Sequence, residues 1–261
     1  MSRVSYEKHD RIARVTLCRP EAMNAIDSAM NDRLIEVWRD FEADPAVDIA
    51  ILTGEGREAF CAGADLKDFI PGFLDMTPRD LRDRIRQGLG GITRGQHRVY
   101  KPIIGAVNGW ALAGGFELAL ACDLRVASAN AVFGSFELKR GFHHGDGGIV
   151  RLVASVGMAR TFDIVFTGRE VSADEALRIG LVSEVVPADR LMPTAERYAA
   201  TLLTYSQAAL RSAKETILEV VGRTLDDALR VEAQYGYTSG DPDDVRRRLH
   251  AFFKSRGEPL P

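Results

Sequence analysis

The sequence predicts an α/β fold followed by a helical subdomain, and three observations carry that expectation. Apolar, strand-like runs near 12–18, 47–53, 103–108, 123–127 and 182–186 alternate with helical patterns near 28–43, 78–99, 114–122, 148–166, 173–180 and 188–204, the alternation of an α/β core. From about residue 188 the strand signal stops, and segments 206–221, 224–237 and 242–253 read as helices. The 261 residues are 46% hydrophobic and 27% charged, enough to bury a sizeable core. The expected organisation is therefore an α/β core over 1–187 and a helical subdomain over 188–261.

Local chemistry supports the elements in turn. Asp27-Ser28 reads as the start of the first helix, because a short acceptor side chain there satisfies a free amide. The apolar run Val47 to Leu52 leads to the turn-like Gly54-Glu55-Gly56 and then to Phe60–Leu66, FCAGADL. Between Phe69 and Tyr100 the helical pattern carries Pro71-Gly72-Phe73, Gly88, Gly90-Gly91 and Gly95, and at about 1 kcal/mol per helical glycine the helix should be broken. Ile103 to Asn108 is apolar and β-branched, whereas Phe116 to Cys122 is apolar apart from Glu117. A buried strand should thus pass through the Gly114-Gly115 turn into a buried helix. Ser172-Ala173-Asp174-Glu175 resembles a capping box and Gly180 a helix stop.

Composition removes several function classes. The net charge is −3 and the pI about 6.0, so no basic signature of a nucleic-acid binder is present. The cluster Arg79–Arg86 is interleaved with Asp80 and Asp83 and reads as a solvated helix face. Cys18, Cys61 and Cys122 form no CxxC pair, which suggests neither zinc nor disulfides and points to a reducing cytoplasm. The amino-terminal MSRVSYEKHDRIARVTL is too charged for a signal peptide. No apolar run approaches the ~20 residues of a membrane helix. No GxGxxG follows a strand, so a nicotinamide-dependent oxidoreductase lacks its phosphate turn.

The positive signal lies in residues 107–137, VNGWALAGGFELALACDLRVASANAVFGSFE. Glycines at a helix start let a ligand approach the backbone, and the free amides with the helix dipole stabilise negative charge. Gly63-Ala64 presents a second such amide. Two N–H donors from separate loops stabilise an enolate or tetrahedral oxyanion. Read alone, Glu117 is equally a charge–dipole partner, and Glu137 within SFELKRG is a surface residue.

FCAGADL, VNGWALAGGFELALACDLRVAS and FGSFELKRG, in this order, resemble the crotonase (enoyl-CoA hydratase/isomerase) superfamily. CRPEAMNAID, LTGREVSADEALRIGLVSEVV and SAKETI extend the resemblance across residues 4–257. It implies a spiral of ββα units with a carboxy-terminal helical subdomain, assembled as a homotrimer or a dimer of trimers. It also implies an acyl-CoA thioester substrate, held without a metal or redox cofactor and without nucleic-acid or membrane partners.

By position, the amides of Ala64 and Gly114 become the oxyanion hole, and Glu117 and Glu137 the acid/base pair of a hydratase. Glu117 activates water and Glu137 delivers the proton. Burial and mutual repulsion would keep one carboxyl protonated and the other ionised. Ala62, Asp65, Leu66, Phe69, Trp110, Gly145 and Asp146 are implied to contact substrate. Phe69, Phe73, Leu74 and Met76 are candidates for the acyl pocket, with plain core as the competing reading. For the CoA moiety, Arg19, Lys67, Phe252, Lys254 and Arg256 are candidates, although AFFKSR displaces the usual lysine by one position, leaving Ser255 there.

The sequence departs from the family after Glu137, where GFHHGDGG replaces a proline followed by small residues. His143, His144 and Asp146 read as a hydrogen-bonded loop or as polar contacts to an oxygenated acyl group. Because some relatives use a nearby aspartate as nucleophile or second base, Asp146 keeps isomerase or hydrolase chemistry as an alternative. A catalytically silent acyl-CoA-binding scaffold is another.

Overall fold

The computed structural model describes residues 3–94 and 99–257, without the side chain of Leu74. The chain forms two compact units, one through Thr201 and one from Leu202 onward. Gly95, among the glycines singled out above, lies outside the described residues.

The first unit opens with β1 (Val4–His9), β2 (Ile12–Leu17), α1 (Ser28–Ala43), β3 (Ile49–Gly54) and β4 (Ala59–Cys61). Next come α2 (Phe69–Leu74), α3 (Pro78–Gln87), β5 (Ile103–Val107), β6 (Trp110–Leu112), α4 (Gly114–Ala121), β7 (Leu124–Ser128) and β8 (Val132–Gly134). After them follow α5 (Gly148–Thr167), β9 (Glu170–Ser172), α6 (Ala173–Arg178), β10 (Glu184–Val186) and α7 (Leu191–Leu203). Leu191, Ala195 and Ala199 of α7 are buried, and the first unit runs past the boundary at 187 expected from sequence to Thr201.

Two sheets share these strands. Six order as β1-β2-β3-β5-β7-β10 and four as β4-β6-β8-β9. The β1–β2 and β8–β9 pairs are antiparallel, and the other pairings are parallel. Along the chain β3 and β4, then β5 and β6, then β7 and β8 each place one strand in each sheet before the chain turns into helix. These are the ββα turns that the family resemblance implied. Strands β3 and β5 are buried at every residue, as parallel strands covered on both faces must be.

The sequence signals for the two helix starts hold: Asp27 and Ser172 accept from the amides of Met30 and Glu175. Thr77, which the sequence reading did not single out, caps α3 by accepting from the Asp80 amide. The break expected from the glycines of the 78–99 pattern falls after Gln87, where Gly88, Gly90 and Gly91 adopt φ of 71°, 65° and 76°. Helix α5 is interrupted at Gly157, φ 79°.

The glycine turn after α3 is bolted to α1. Trp38 Nε1–H donates to the Gly90 carbonyl at 2.8 Å, and the Gly90 amide donates to Asn31 Oδ1 at 2.7 Å. A Cβ on Gly91 would sit 3.1 Å from Ile35 Cα. This seating brings Leu89 against the start of α4, 2.3 Å from where a Gly114 Cβ would lie.

The second unit contains α8 (Gln207–Val220), α9 (Leu225–Thr238) and α10 (Pro242–Arg256). Ser212 Oγ–H of α8 donates to the Tyr235 carbonyl of α9 at 3.2 Å. None of the three helices buries a residue fully, while Ile217, Leu218, Val221, Leu225 and Leu229 are exposed.

Two glycine substitutions should behave oppositely. A Cβ on Gly115 would lie 2.0 Å from the Cys61 carbonyl oxygen, a backbone clash that Gly115→Ala must relieve at about 3 kcal/mol. Gly236, exposed in α9 with open space around it, should gain up to about 1 kcal/mol on becoming Ala. Chemical denaturation checks both, and equal midpoints would contradict the packing.

Candidate active site

The site is built where the turn into α4 meets the loop after β4. Ala113 takes φ 50° and ψ −123°, and Gly63 takes φ 94°. Ile26 joins the second loop through its amide to the Gly63 carbonyl at 2.8 Å and its carbonyl to the Asp65 amide at 2.8 Å. The two glycine turns then touch. A Cβ on Gly63 would be 2.9 Å from the Gly114 nitrogen, and one on Gly114 would be 3.4 Å from the Ala64 nitrogen. Among the described residues neither the Ala64 nor the Gly114 amide is given to a protein acceptor. Free N–H groups at a helix start are the kind of donor that stabilises a developing oxyanion.

Glu117 lies in the first turn of α4 and is buried. Its Oε1 accepts from the Asp146 amide at 2.8 Å and the Gly148 amide at 2.9 Å. Gly148 begins α5, so the carboxylate sits where helix-end amides and dipole favour negative charge. Glu137 opens the short 3-10 turn Glu137–Arg140. It is 4% exposed although Leu138, Lys139 and Arg140 beside it are exposed. The surface reading of Glu137 in isolation is thereby overturned.

Between the two carboxylates stands His144, which sequence reasoning had assigned to a polar loop. Its Nδ1 is 2.7 Å from Glu137 Oε1 and 3.4 Å from Glu117 Oε1, and its side chain is 1% exposed. The short Glu137 contact lies off the N–H axis, so Nδ1 and both Glu137 oxygens lack an aligned hydrogen bond. On the far side of the ring Nε2 lies 2.7 Å from Ser135 Oγ. Burial pushes the imidazolium down, but the contacts and charges of Glu117 and Glu137 outweigh it and raise its pKa to about 9.

The ligand-capable atoms of Glu117, Glu137 and His144 lie within 4.8 Å of one another. Two ligands of one tetrahedral zinc, each at ~2.0–2.1 Å, stand about 3.3 Å apart. The 2.7 Å approach of Nδ1 to Glu137 is closer than two ligands of one such zinc stand.

The remaining sequence candidates separate into groups. Asp146 Oδ1 accepts from the Leu89 amide, Thr93 Oγ1 and Arg94 Nε at 2.9, 2.9 and 3.0 Å. Its carboxylate therefore fastens the 89–94 loop, and its amide serves Glu117. Gly145 is exposed beside it. Asp65 Oδ2 pairs with Arg19 Nη2 at 2.9 Å, and Arg19 Nη1 donates to the Ala25 carbonyl at 2.7 Å. Arg19 thus braces the chain beneath the Gly63-Ala64 loop. The Ala62 amide donates to the Met23 carbonyl in the same layer.

Leu66 and Lys67 are exposed, and Trp110 is half-buried in β6. Phe69 is buried with its ring centroid 5.1 Å from that of Phe73, and the Arg84 guanidinium lies 4.8 Å from the Phe69 centroid. Met76 is half-buried, and the Leu74 side chain lies outside the described residues. Phe252, Lys254 and Arg256 belong to α10 of the second unit, with Arg256 4.6 Å from the Phe252 ring centroid. Burial raises the Cys61 thiol to about 12, a Gly63 amide contact only partly opposing it, which leaves no reactive thiolate at neutral pH.

The family model for enoyl-CoA hydratase/isomerase matches residues 7–259. The chain belongs to the enoyl-CoA hydratase/isomerase family. It is 39% identical to the (E)-benzylidenesuccinyl-CoA hydratase of Thauera aromatica, over 97% of this chain and 96% of that protein. It is 36% identical to the short-chain-enoyl-CoA hydratase of Clostridium acetobutylicum, over 98% and 96%. The fold matches the crystal structure of enoyl-CoA hydratase from Bacillus anthracis with TM-score 0.85 at 30% identity, covering 99% and 98% of the two chains.

The charge on His144 makes a pH prediction. The ordinary imidazole pKa of 6.5 rises to about 9 on folding, so its stabilising contribution is fully present below pH 6.5 and is lost as pH rises through about 9. The denaturation midpoint of wild type should fall across this window, and His144→Gln should flatten that fall. An unchanged slope in the variant would contradict the assignment.

Proposed function

We propose that this protein is an enoyl-CoA hydratase, adding water across the conjugated double bond of a trans-2-enoyl-CoA to give a 3-hydroxyacyl-CoA. The observation that carries this reading is the pair of buried carboxylates, Glu117 and Glu137, in a chain whose Ala64 and Gly114 amides are free. A single base suffices to move a double bond. Hydration needs a base for water at C3 and a proton donor for C2, and two carboxyl groups divide that work.

In this mechanism the thioester oxygen receives the Ala64 and Gly114 N–H groups. As the water oxygen bonds to C3, Glu117 takes its proton. Negative charge passes through C2 to the thioester oxygen, where the two amides stabilise the enolate. Glu137 then supplies the proton to C2. No metal or redox cofactor takes part in these steps.

The relatives named as hydratases of short-chain-enoyl-CoA and of (E)-benzylidenesuccinyl-CoA support a thioester with an α,β-unsaturated acyl group. Phe69 and Phe73, whose rings meet at a tilt in α2, are proposed to border that group, and the segments carrying Ala62, Asp65, Leu66, Trp110, Gly145 and Asp146 to frame the thioester and nucleotide. Asp146 contributes as a positioning residue, since its carboxylate holds the 89–94 loop; this favours hydration over chemistry with Asp146 as nucleophile. A homotrimer, or a dimer of trimers, is proposed to cover the exposed Met158, Phe162 and Phe166 of α5 and the apolar residues of α8 and α9.

Loss of the enoyl-thioester absorbance with crotonyl-CoA and a longer enoyl-CoA tests the reading. Glu117→Gln and Glu137→Gln should each lower kcat about 100-fold or more with KM nearly unchanged. Near-wild-type turnover in either variant would remove that residue from the chemistry.

A further inference from the structure

We propose that His144 is the proton reservoir of the site: as an imidazolium it holds the single mobile proton, lends it to Glu137 for delivery to C2 and regains it from Glu117. The relay rests on the hydratase reading, whereas the resting place of the proton does not.

Charge balance is the first argument. Glu117 and Glu137 are 4% and 5% exposed at their side chains, and two buried anions without a cation are strongly disfavoured. Arg94 binds the Asp146 carboxylate. Arg151 donates to the Asp146 and Thr93 carbonyls at 3.0 and 2.9 Å and attracts Glu117 through space, whereas His144 is the cationic group in contact with Glu137. The charged groups facing His144 are Glu117 from α4 and Glu137 from its 3-10 turn; Ser135 contributes a hydroxyl and the start of α5 only the Gly148 backbone.

Geometry is the second. Nδ1 reaches both carboxylates, at 2.7 and 3.4 Å, while Nε2 is anchored on Ser135 Oγ. A Cβ on Gly148 would lie 2.5 Å from Nδ1, so the first residue of α5 leaves room for the ring only as glycine. Burial opposes the imidazolium, but the two glutamates raise its pKa to about 9, consistent with a charged ring at neutral pH.

The cycle balances. At rest both glutamates are carboxylates and His144 is protonated at both nitrogens. Once a small rotation of the Glu137 carboxylate aligns the pair, Nδ1–H passes to Glu137 Oε1, leaving a neutral imidazole whose Nε2–H still donates to Ser135 Oγ. Glu137 delivers that proton to C2, where the former π pair forms the C–H bond. The water oxygen bonds to C3 and its proton goes to Glu117. Glu117 returns this proton to Nδ1, so one water is added and the cluster again holds one proton. His144 acts through the glutamates and is a positioning residue, outside direct contact with substrate.

Two measurements test this. The ring-nitrogen shifts of 15N-histidine-labelled wild type and Glu137→Gln, followed with pH, read the proton without substrate. His144 should remain an imidazolium at pH 8 in wild type and titrate lower in the variant. The pH dependence of crotonyl-CoA hydration in wild type should fall as pH approaches about 9. In His144→Gln the fall should begin at much lower pH, with kcat reduced about 100-fold and KM nearly constant.

A neutral His144 ring in wild type at pH 7 overturns the proposal whatever the substrate. A His144→Gln enzyme with wild-type kcat and an unmoved alkaline limb overturns the relay. Should wild type be inactive on enoyl-CoA thioesters while His144 titrates near pH 9, the hydratase reading fails and the resting proton assignment stands. The wild-type nitrogen titration remains decisive even if His144→Gln does not fold.

Discussion

The site depends on one close approach, that of the Gly114-Gly115 turn to the Cys61–Ala64 loop. The Cys61 carbonyl occupies the volume a Gly115 Cβ would need, and Gly63 lies against the Gly114 amide. Without that contact the Ala64 and Gly114 nitrogens would not lie in neighbouring turns. Much of the surrounding structure serves it: Arg19 ties Asp65 and Ala25 beneath one loop, and Leu89 covers the Gly114 side. The parallel strand pairs β3–β5 and β4–β6 carry these loops into register. Backbone donors held this way cost little reorganisation when charge develops on a bound oxygen.

A second constraint is the burial of Glu117 and Glu137 side by side. Two buried carboxylates repel each other when both carry charge. His144 changes this electrostatic problem, because its Nδ1 lies between the carboxylates and its Nε2 rests on Ser135. The Asp146 and Gly148 amides hold Glu117 from the other side, and Asp146 in turn fastens the 89–94 loop. A single loop therefore supplies Glu117 with amide donors and both carboxylates with a neighbouring imidazole nitrogen.

Five of the six strands of the larger sheet were legible in the sequence, β3 and β5 most clearly because they are continuous apolar runs. The four-stranded sheet was not, since its strands span only three residues each and cannot display a two-residue period. Strand β1 was hidden by charged residues on its exposed half. Glu117 was readable from its apolar neighbours. Glu137 was not readable without the family motif, because the exposed Leu138, Lys139 and Arg140 mask the inward turn of a single residue. His144 was visible only as a departure from the family's proline; its pairing depends on bringing together positions 117, 137 and 144, which no local pattern encodes.

The most direct measurement is a crystal structure with acetoacetyl-CoA, whose thioester occupies the site without being hydrated. The thioester oxygen should lie about 2.7–3.1 Å from both the Ala64 and Gly114 nitrogens, with C2 and C3 facing Glu137 and Glu117. A thioester oxygen bound away from these amides, or a reacting carbon screened from both glutamates, would contradict the hydratase site.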